Sequence, residues 1–452
     1  MATTMFMVQL DGAVLGVALP TIAADFGVRP LSLSLAVTIY LTMLVALLPV
    51  SGWAADRFGA RRVFLGAVTG FALASLLCAL SRSYWPFIVS RALQGGAAAM
   101  LAPVGRLIML RRTPPDEMVD ALSIIAMPML IAPTVGPSLG GLIVSYAHWP
   151  LIFLLNLPVA GALFVLTLRH VPATPGDPSR RLDAGGATML GVALVLVLAG
   201  ADRVSGHFGD PLPWLLVAGG LGLGLVTLRH LRRHPDPVVS LDSLAIAGYR
   251  ETIIGSGAVI RMPQRALMFL APLMFQVGLG MDALAAGLLL MMLSAGDMVV
   301  KPLVRPMFDR LGFRASVTWS SFGGLLAMGL LALALPPALR MPGYGLLLLG
   351  AGVSRSVVFT GMTSLSFVTL PPEHVNSGNT LASISQQLTN ALAVSASTLM
   401  VTGSAMLAGR ADPAQADFRA ATLVFVAIGA LATVLLHPTL PHVLARRASP
   451  QK

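Results

Sequence analysis

The chain has 452 residues, 56% of them apolar and only 11% charged, with a mean hydropathy of +0.82. That is too little polar material to cover a water-soluble globule, so water is excluded as the main solvent. The formal net charge is +11, but the basic residues lie between apolar runs and form no stripe interleaved with aromatics, which points to an anionic membrane surface and away from nucleic acid.

A bilayer core about 30 Å thick asks for roughly 20 predominantly apolar residues per helix. The apolar runs are continuous and rich in Leu, Ala, Gly and Met, without the alternation of a membrane barrel, so the expected class is all-α integral membrane. In chain order, fourteen spans are read near 4–24, 33–54, 62–81, 85–107, 119–146, 151–169, 184–202, 212–231, 251–276, 283–304, 315–336, 342–369, 376–404 and 418–437. The first run contains Asp11, unlike the apolar stretch of a cleavable signal, and is expected to remain as the first helix. Cys78 is the one cysteine and lies inside the third span. It reads as a small packing residue, and a disulfide or cysteine metal site within one chain is excluded.

With the N-terminus on the cytoplasmic side, nineteen Arg and Lys fall in cytoplasmic loops and tail, among them Arg111, Arg112, Arg180, Arg446, Arg447 and Lys452. The opposite loops hold six, Arg29, Arg82, Arg203, Arg340, Arg410 and Arg419. The bias predicts a multi-pass inner-membrane protein with both termini cytoplasmic and an even number of spans.

An internal repeat divides the chain. After the second span it reads Gly52-Trp-Ala-Ala-Asp56-Arg57-Phe-Gly59-Ala-Arg61-Arg62, and after the tenth, Asp309-Arg310-Leu-Gly312-Phe-Arg314. The 253 residues from Asp56 to Asp309 correspond to about eight helices at roughly 30 residues per helix and loop. Two pseudo-symmetric six-helix halves, 1–170 and 241–440, are therefore expected to flank a 171–240 linker carrying two inserted helices, with a cytoplasmic tail over 441–452. Gly52 and Gly59 are expected to permit close helix approach and a tight turn, and the arginines to bind carboxylates or carbonyls.

The Gly52–Arg62 segment resembles the loop signature of the major facilitator superfamily, which implies a cytoplasmic latch between the halves made of both repeats. Ser90-Arg91-Ala-Leu-Gln94-Gly95-Gly96 resembles that family's arginine motif, and Ala132-Pro133-Thr-Val-Gly136-Pro137-Ser-Leu-Gly140-Gly141 resembles the motif associated with its exporters. Gly136 and Gly140 share a helix face on which another backbone can come close, and Pro137 can bend the helix, so a pivot or proton seal is expected there. Leu10-Asp11-Gly12-Ala13-Val14-Leu15-Gly16 resembles the first-helix motif of the fourteen-helix drug:proton antiporters of the QacA and EmrB type. In that pattern Thr and Asn stand where this chain has Ala13 and Gly16. Trp149-Pro150-Leu-Ile-Phe153-Leu-Leu-Asn156 resembles the opening of the sixth helix, with Pro150 in place of the usual arginine. The whole is most similar to HsrA-like transporters, whose substrate the resemblance does not define.

Charges inside the hydrocarbon are functional hypotheses by default. Asp11 is the expected proton carrier and Arg91 its electrostatic partner. Counted from the outer helix ends at 1.5 Å per residue, Asp11 lies about 20 Å deep and Arg91 about 10 Å. Direct contact is left open, as are a bridging water or third residue and a structural Arg91 bonded to carbonyls. Asp297 and Lys301, four apart, form either a self-neutralising pair or a second titrating site. Arg261 and Arg265, also four apart, ask for an anion, either Asp297 or a substrate carboxylate. With Gln94, Gln264, Arg355, Gln386, Gln387 and Asn390 they are the expected cavity residues.

The two lysines, Lys301 and Lys452, sit in no phosphate-binding Gly-x-x-x-x-Gly-Lys motif, so no ATP site is expected. The expected activity is proton-driven export of drugs or small organic compounds by alternating access, with a dedicated metabolite exporter as the alternative. A membrane-embedded enzyme is disfavoured by the absence of HExxH and of His/carboxylate clusters within spans, and a non-transporting sensor by the coincidence of latch, hinge and buried charges. No metal or cofactor is expected. The expected partners are small-molecule substrate, protons and lipid, and a monomer suffices.

Overall fold

The computed structural model describes residues 2–110, 118–173, 175–179, 181–204, 210–333, 335–368, 370, 375–410 and 412–440. Arg111, Arg112, Arg180, Arg446, Arg447, Lys452 and the expected tail lie outside them. Among the described residues there is helix and no strand. The chain divides into two compact units, residues 1–240 with Val394–Leu399, and 241–393 with 400–452.

The first unit contains α1 (Ala2–Asp25), α2 (Ser34–Leu47), α3 (Val50–Phe58), α4 (Ala60–Leu80), α5 (Tyr84–Leu110), α6 (Met118–Tyr146), α7 (Leu151–Leu154), α8 (Asn156–His170), α9 (Ala184–Val204) and α10 (Pro211–Arg233). α1 packs along α6 and α4 along α5, while α2 touches both α5 and α9. Its core gathers Tyr40, Phe64, Val68, Phe71 and Leu101 from α2, α4 and α5, each at most 5% exposed. The run expected as one span over 33–54 is two helices, because Pro49 has no amide hydrogen to continue the ladder and instead caps α3. The 151–169 span likewise divides at Leu155 into α7 and α8.

The second unit contains α11 (Ala247–Ile253), α12 (Ser256–Val259), α13 (Met262–Leu273), α14 (Ala283–Leu311), α15 (Phe313–Leu331), α16 (Pro337–Val368), α17 (Val375–Leu407) and α18 (Gln415–Leu436). α14 lies along α16, and α15 packs on both α16 and α18. The expected 251–276 helix is broken into α11, α12, α13 and a π-helical turn over Met274–Gly278. Gly255, Pro263 and Pro272 punctuate it, and each weakens the continuous ladder.

Eleven helices among the described residues are long and apolar enough to cross a membrane. The expected spans at 251–276 and 315–336 are not among the eleven, and the side chains of the first half of the expected 119–146 span lie outside the described residues. Apolar stripes face outward, as on α4, where Leu73, Leu77 and Leu80 are 57%, 47% and 64% exposed. In water this would be an aggregation surface, and hydrocarbon is its natural cover.

Candidate functional site

Four helices of the first unit bring polar side chains to one buried point. Asp11 comes from the middle of α1 and is 2% exposed. Arg91 and Gln94, three apart and so on one face of α5, are 1% and 0% exposed. Ser75 comes from α4 and Asn156 from the first turn of α8. Arg91 Nη1 donates to Asp11 Oδ2 at 2.7 Å, while Gln94 Nε2 and Asn156 Nδ2 donate to Asp11 Oδ1 at 2.9 and 3.0 Å. Three donors converge on the carboxylate, the arrangement that suits its ionised, acceptor-only form. Arg91 Nη1 also donates to Gln94 Oε1, and Gln94 Nε2 to Ser75 Oγ at 2.9 Å. The guanidinium lies 4.4 Å from the Tyr40 ring centroid, and Arg91 Nε reaches the Ala36 carbonyl at 3.4 Å.

The direct Asp11–Arg91 pair resolves what counting along the helices left open. That counting assumes straight, parallel helices with level ends. α1 carries Pro20 in its interior, membrane helices tilt by about 20° on average, and arginine has a long reach. Gln94, expected in a substrate cavity, sits within this network. Cys78, fully buried, lies 3.8 Å from Gln94 Oε1. Ser75 was not singled out from the sequence, and Asn156 was named only within the sixth-helix resemblance, with no site role. Asn156 had a signal, as a lone amide in the apolar run after Phe153, whereas a serine in a membrane helix gives none.

The exporter-like motif packs beside this point. A Cβ on Gly136 would stand 2.6 Å from the Ala13 methyl, and one on Gly140 would stand 2.8 Å from the Val14 carbonyl oxygen. Pro137 and Gly141 are buried on the same helix, and the side chain of Pro133 lies outside the described residues. The glycines therefore let α6 run against the α1 segment that immediately follows Asp11. Ala13, a departure from the antiporter pattern, supplies the small partner surface for Gly136. At the far end of α1, Phe26, Phe87, Trp149 and Phe153 form edge-to-face contacts at 5.5–6.2 Å, and Trp149 Nε1 donates to Asp25 at 2.9 Å.

The two loop repeats adopt the same local geometry. Gly59, between α3 and α4, has φ +88° and ψ 130°, and Gly312, between α14 and α15, has φ +82° and ψ 151°. Only glycine adopts such angles readily, and each lets one helix follow another without a loop. Two residues on, Arg61 donates to the Leu168 carbonyl near the end of α8 at 2.9 Å, and Arg314 donates to the Leu440 carbonyl after α18 at 2.6 and 2.8 Å. Each arginine thus satisfies a carbonyl beyond its own helix in the same unit. Asp56 accepts the Asp177 amide through its main-chain carbonyl at 2.8 Å. Arg57 and Arg62 follow on either side of Gly59, and Asp309 and Arg310 close α14. The close approach expected at Gly52 is absent: the residue is exposed, and a Cβ there would meet nothing within 4 Å among the described residues.

Residues 1–394 match the Major Facilitator Superfamily. The chain belongs to that superfamily. It is 35% identical over 401 residues to the Cronobacter sakazakii protein that carries the name multidrug resistance protein MdtD, covering 88% of this chain and 84% of that one. A Yersinia enterocolitica protein of the same name is 34% identical over 406 residues, again covering 88% and 84%. Among solved structures, a D-xylose-proton symporter superposes with a TM-score of 0.67 at 15% identity, over 98% of this chain and 96% of that one. A peptide transporter POT in complex with sulfate gives 0.68 at 16%, over 97% and 93%, and at these identities the likeness is one of fold. The chain is accordingly a multi-pass membrane transporter of small molecules and not an enzyme.

As a Major Facilitator Superfamily member it carries a second charged cluster, in its second unit. Asp297 on α14 pairs with Arg355 of α16 at 2.8 Å and, more loosely, with Lys301 at 3.6 Å. The expected i,i+4 pair is present, but the closer partner comes from another helix. Asp297 is thus shared by two cations. Those two lie 5.8 and 5.2 Å from the Phe359 ring centroid. Arg261 is 3% exposed, and its Nε and Nη2 have no hydrogen-bond partner among the described residues. Gln264 and Arg355 help to line a cavity of about 10 Å³, room for about one water. On α17, Asn390 donates to Gln387 Oε1 at 2.8 Å, with Gln386 half-buried beside them.

Proposed function

We propose that this superfamily member is a proton-coupled exporter of drugs or small organic compounds, working by alternating access, with fourteen spans arranged as six, an inserted two, and six. In this reading both termini are cytoplasmic, in a bacterial inner membrane. Asp11 carries the proton, and Arg91 holds the countercharge when Asp11 is empty. The single observation that carries the coupling is a dry Asp11 carboxylate facing one guanidinium and two amides. Protonation of Asp11 removes the attraction that holds Arg91, so proton loading and helix packing are linked through one contact. The glycine face of α6 against Ala13 and Val14 supplies a surface on which α1 can rock next to that contact. The two left-handed turns at Gly59 and Gly312 act as the paired cytoplasmic latch. The names of the MdtD relatives favour drugs as cargo.

The test is transport in proteoliposomes under an imposed pH gradient. Asp11→Asn, which keeps the shape and removes the titrating group, is expected to abolish gradient-driven uphill transport while the protein remains folded. Uphill export by that variant at the wild-type rate would refute the assignment.

A second reading of the cargo rests on Arg261. A buried guanidinium with unpartnered nitrogens is costly, and Asp297 is already shared by two cations. A carboxylate or other organic anion among Arg261, Arg265 and Arg355 would satisfy those donors. Competition between organic anions and lipophilic cations for export decides between the two cargo classes. Under the anion reading Arg261→Gln raises the anion's apparent KM by about tenfold or more, as expected for a lost charge-assisted bond.

A further inference from the structure

We propose that Asp183, His230 and His234 bind one divalent transition-metal ion of the zinc type, at the open end of the α9–α10 hairpin. No metal was expected from the sequence, in which 47 residues separate Asp183 from His230.

The local sequence builds the site in three steps. His230 and His234 are four apart, so they share one face at the end of α10, with ring centroids 5.2 Å apart. α9 and α10 pack as an antiparallel pair, which brings the start of α9 to that face. Asp183 precedes α9 and accepts the Gly186 amide at 2.8 Å, and a Cβ at position 186 would fall on its carboxylate. One ligand atom from each of the three residues lies within 4.8 Å of the others.

Each donor is suited to the ion. The Gly186 amide donates to Asp183 Oδ1 at 2.8 Å and the Val238 amide to Oδ2 at 3.3 Å, and together they fix the orientation of the carboxylate. His230 Nε2 stands 2.8 Å from Asp183 Oδ1, so the ion takes the place of the proton between them. His234 Nδ1 accepts only a long bond, 3.3 Å, from the Asp236 amide. Helix capping accounts for Asp183 and one histidine, and leaves the second unexplained. Bonds of about 2.0–2.1 Å in a tetrahedron set ligand atoms roughly 3.3 Å apart. The Asp183–His230 pair must open slightly and His234 must swing inward, motions open to two half-buried rings. Imidazole with carboxylate favours zinc, nickel or copper over magnesium or calcium, and three protein ligands leave a fourth position for water. The ion would join the points where the chain enters and leaves the hairpin, and so stiffen it.

The test uses the full, untagged chain in nanodiscs, stripped with chelator and titrated with zinc against a chromophoric competitor. One ion per chain is expected, with micromolar or tighter affinity and a zinc-dependent rise in melting temperature. His234→Ala and His234→Gln, at a half-exposed position, should leave the metal-free melting temperature unchanged, weaken binding by about tenfold or more and remove the zinc-dependent rise. Cobalt in place of zinc should show tetrahedral absorption bands that His230→Ala eliminates. Zinc binding as tight in the His234 variants as in the wild type would overturn the proposal, because the protein's other histidines would then be the ligands. Absence of a stoichiometric ion would overturn it too, leaving Asp183 and His230 as a capping pair.

Discussion

Arg91 meets a carboxylate, an amide oxygen, a main-chain carbonyl and an aromatic face at once. A lysine could keep the charge but not the planar fork that serves these partners together. Arg91→Lys is therefore expected to slow gradient-driven transport by about tenfold or more, assayed as initial rates in proteoliposomes. Arg91→Leu strands Asp11 and should cost about 3–5 kcal/mol, read as a lowered thermal midpoint in detergent. Asp11→Leu combined with Arg91→Leu should recover much of that stability without recovering transport. Asn156→Leu removes one donor from Asp11 and should cost about 1–3 kcal/mol in the same assay. Asp11 and Arg91 stood out in the sequence, since charges in an apolar run are expensive and so conspicuous. Their 2.7 Å contact did not, because tilt and Pro20 set the relative depth of two helices. Ser75 was invisible for a different reason: a hydroxyl costs little in a helix, where it can bond its own backbone.

Helices meet without intervening loops at Gly59 and Gly312, and there the repeat seen in the sequence becomes a repeat of backbone angles. Gly59→Ala or Gly312→Ala forces a side chain into strained backbone and is expected to cost about 1–3 kcal/mol each, measured by thermal unfolding. Gly140→Val places a branched side chain where a Cβ already meets the Val14 carbonyl at 2.8 Å. Overpacking of this kind costs about 1–3 kcal/mol, and transport should fall more steeply than stability if α1 moves against α6. Hydropathy located the helical segments but missed the breaks at Pro49 and around Gly255 to Pro263. The runs there remain apolar, and it is the loss of ladder hydrogen bonds that ends each helix. Gly52 failed in the opposite sense: a motif glycine suggested a close approach, and its surroundings are open.

At the scale of the whole chain, the excess of Arg and Lys in alternate loops sets the expected orientation. A fluorescent reporter fused after Lys452 should be bright and a periplasmic phosphatase fused there inactive, and the reverse pattern would invert the topology. Class and membrane location follow from the sequence by itself. They depend on apolar run length and on the placement of charge, which are properties of a line of residues. The tertiary structure decided which polar groups meet: Asn156 with Asp11, Arg355 rather than Lys301 as the closer partner of Asp297, and Asp183 with His230 of α10. Such meetings depend on rotation, tilt and depth of packed helices. Those are set by small-residue contacts such as Gly136 on Ala13, whose effect is local in space and distributed along the chain.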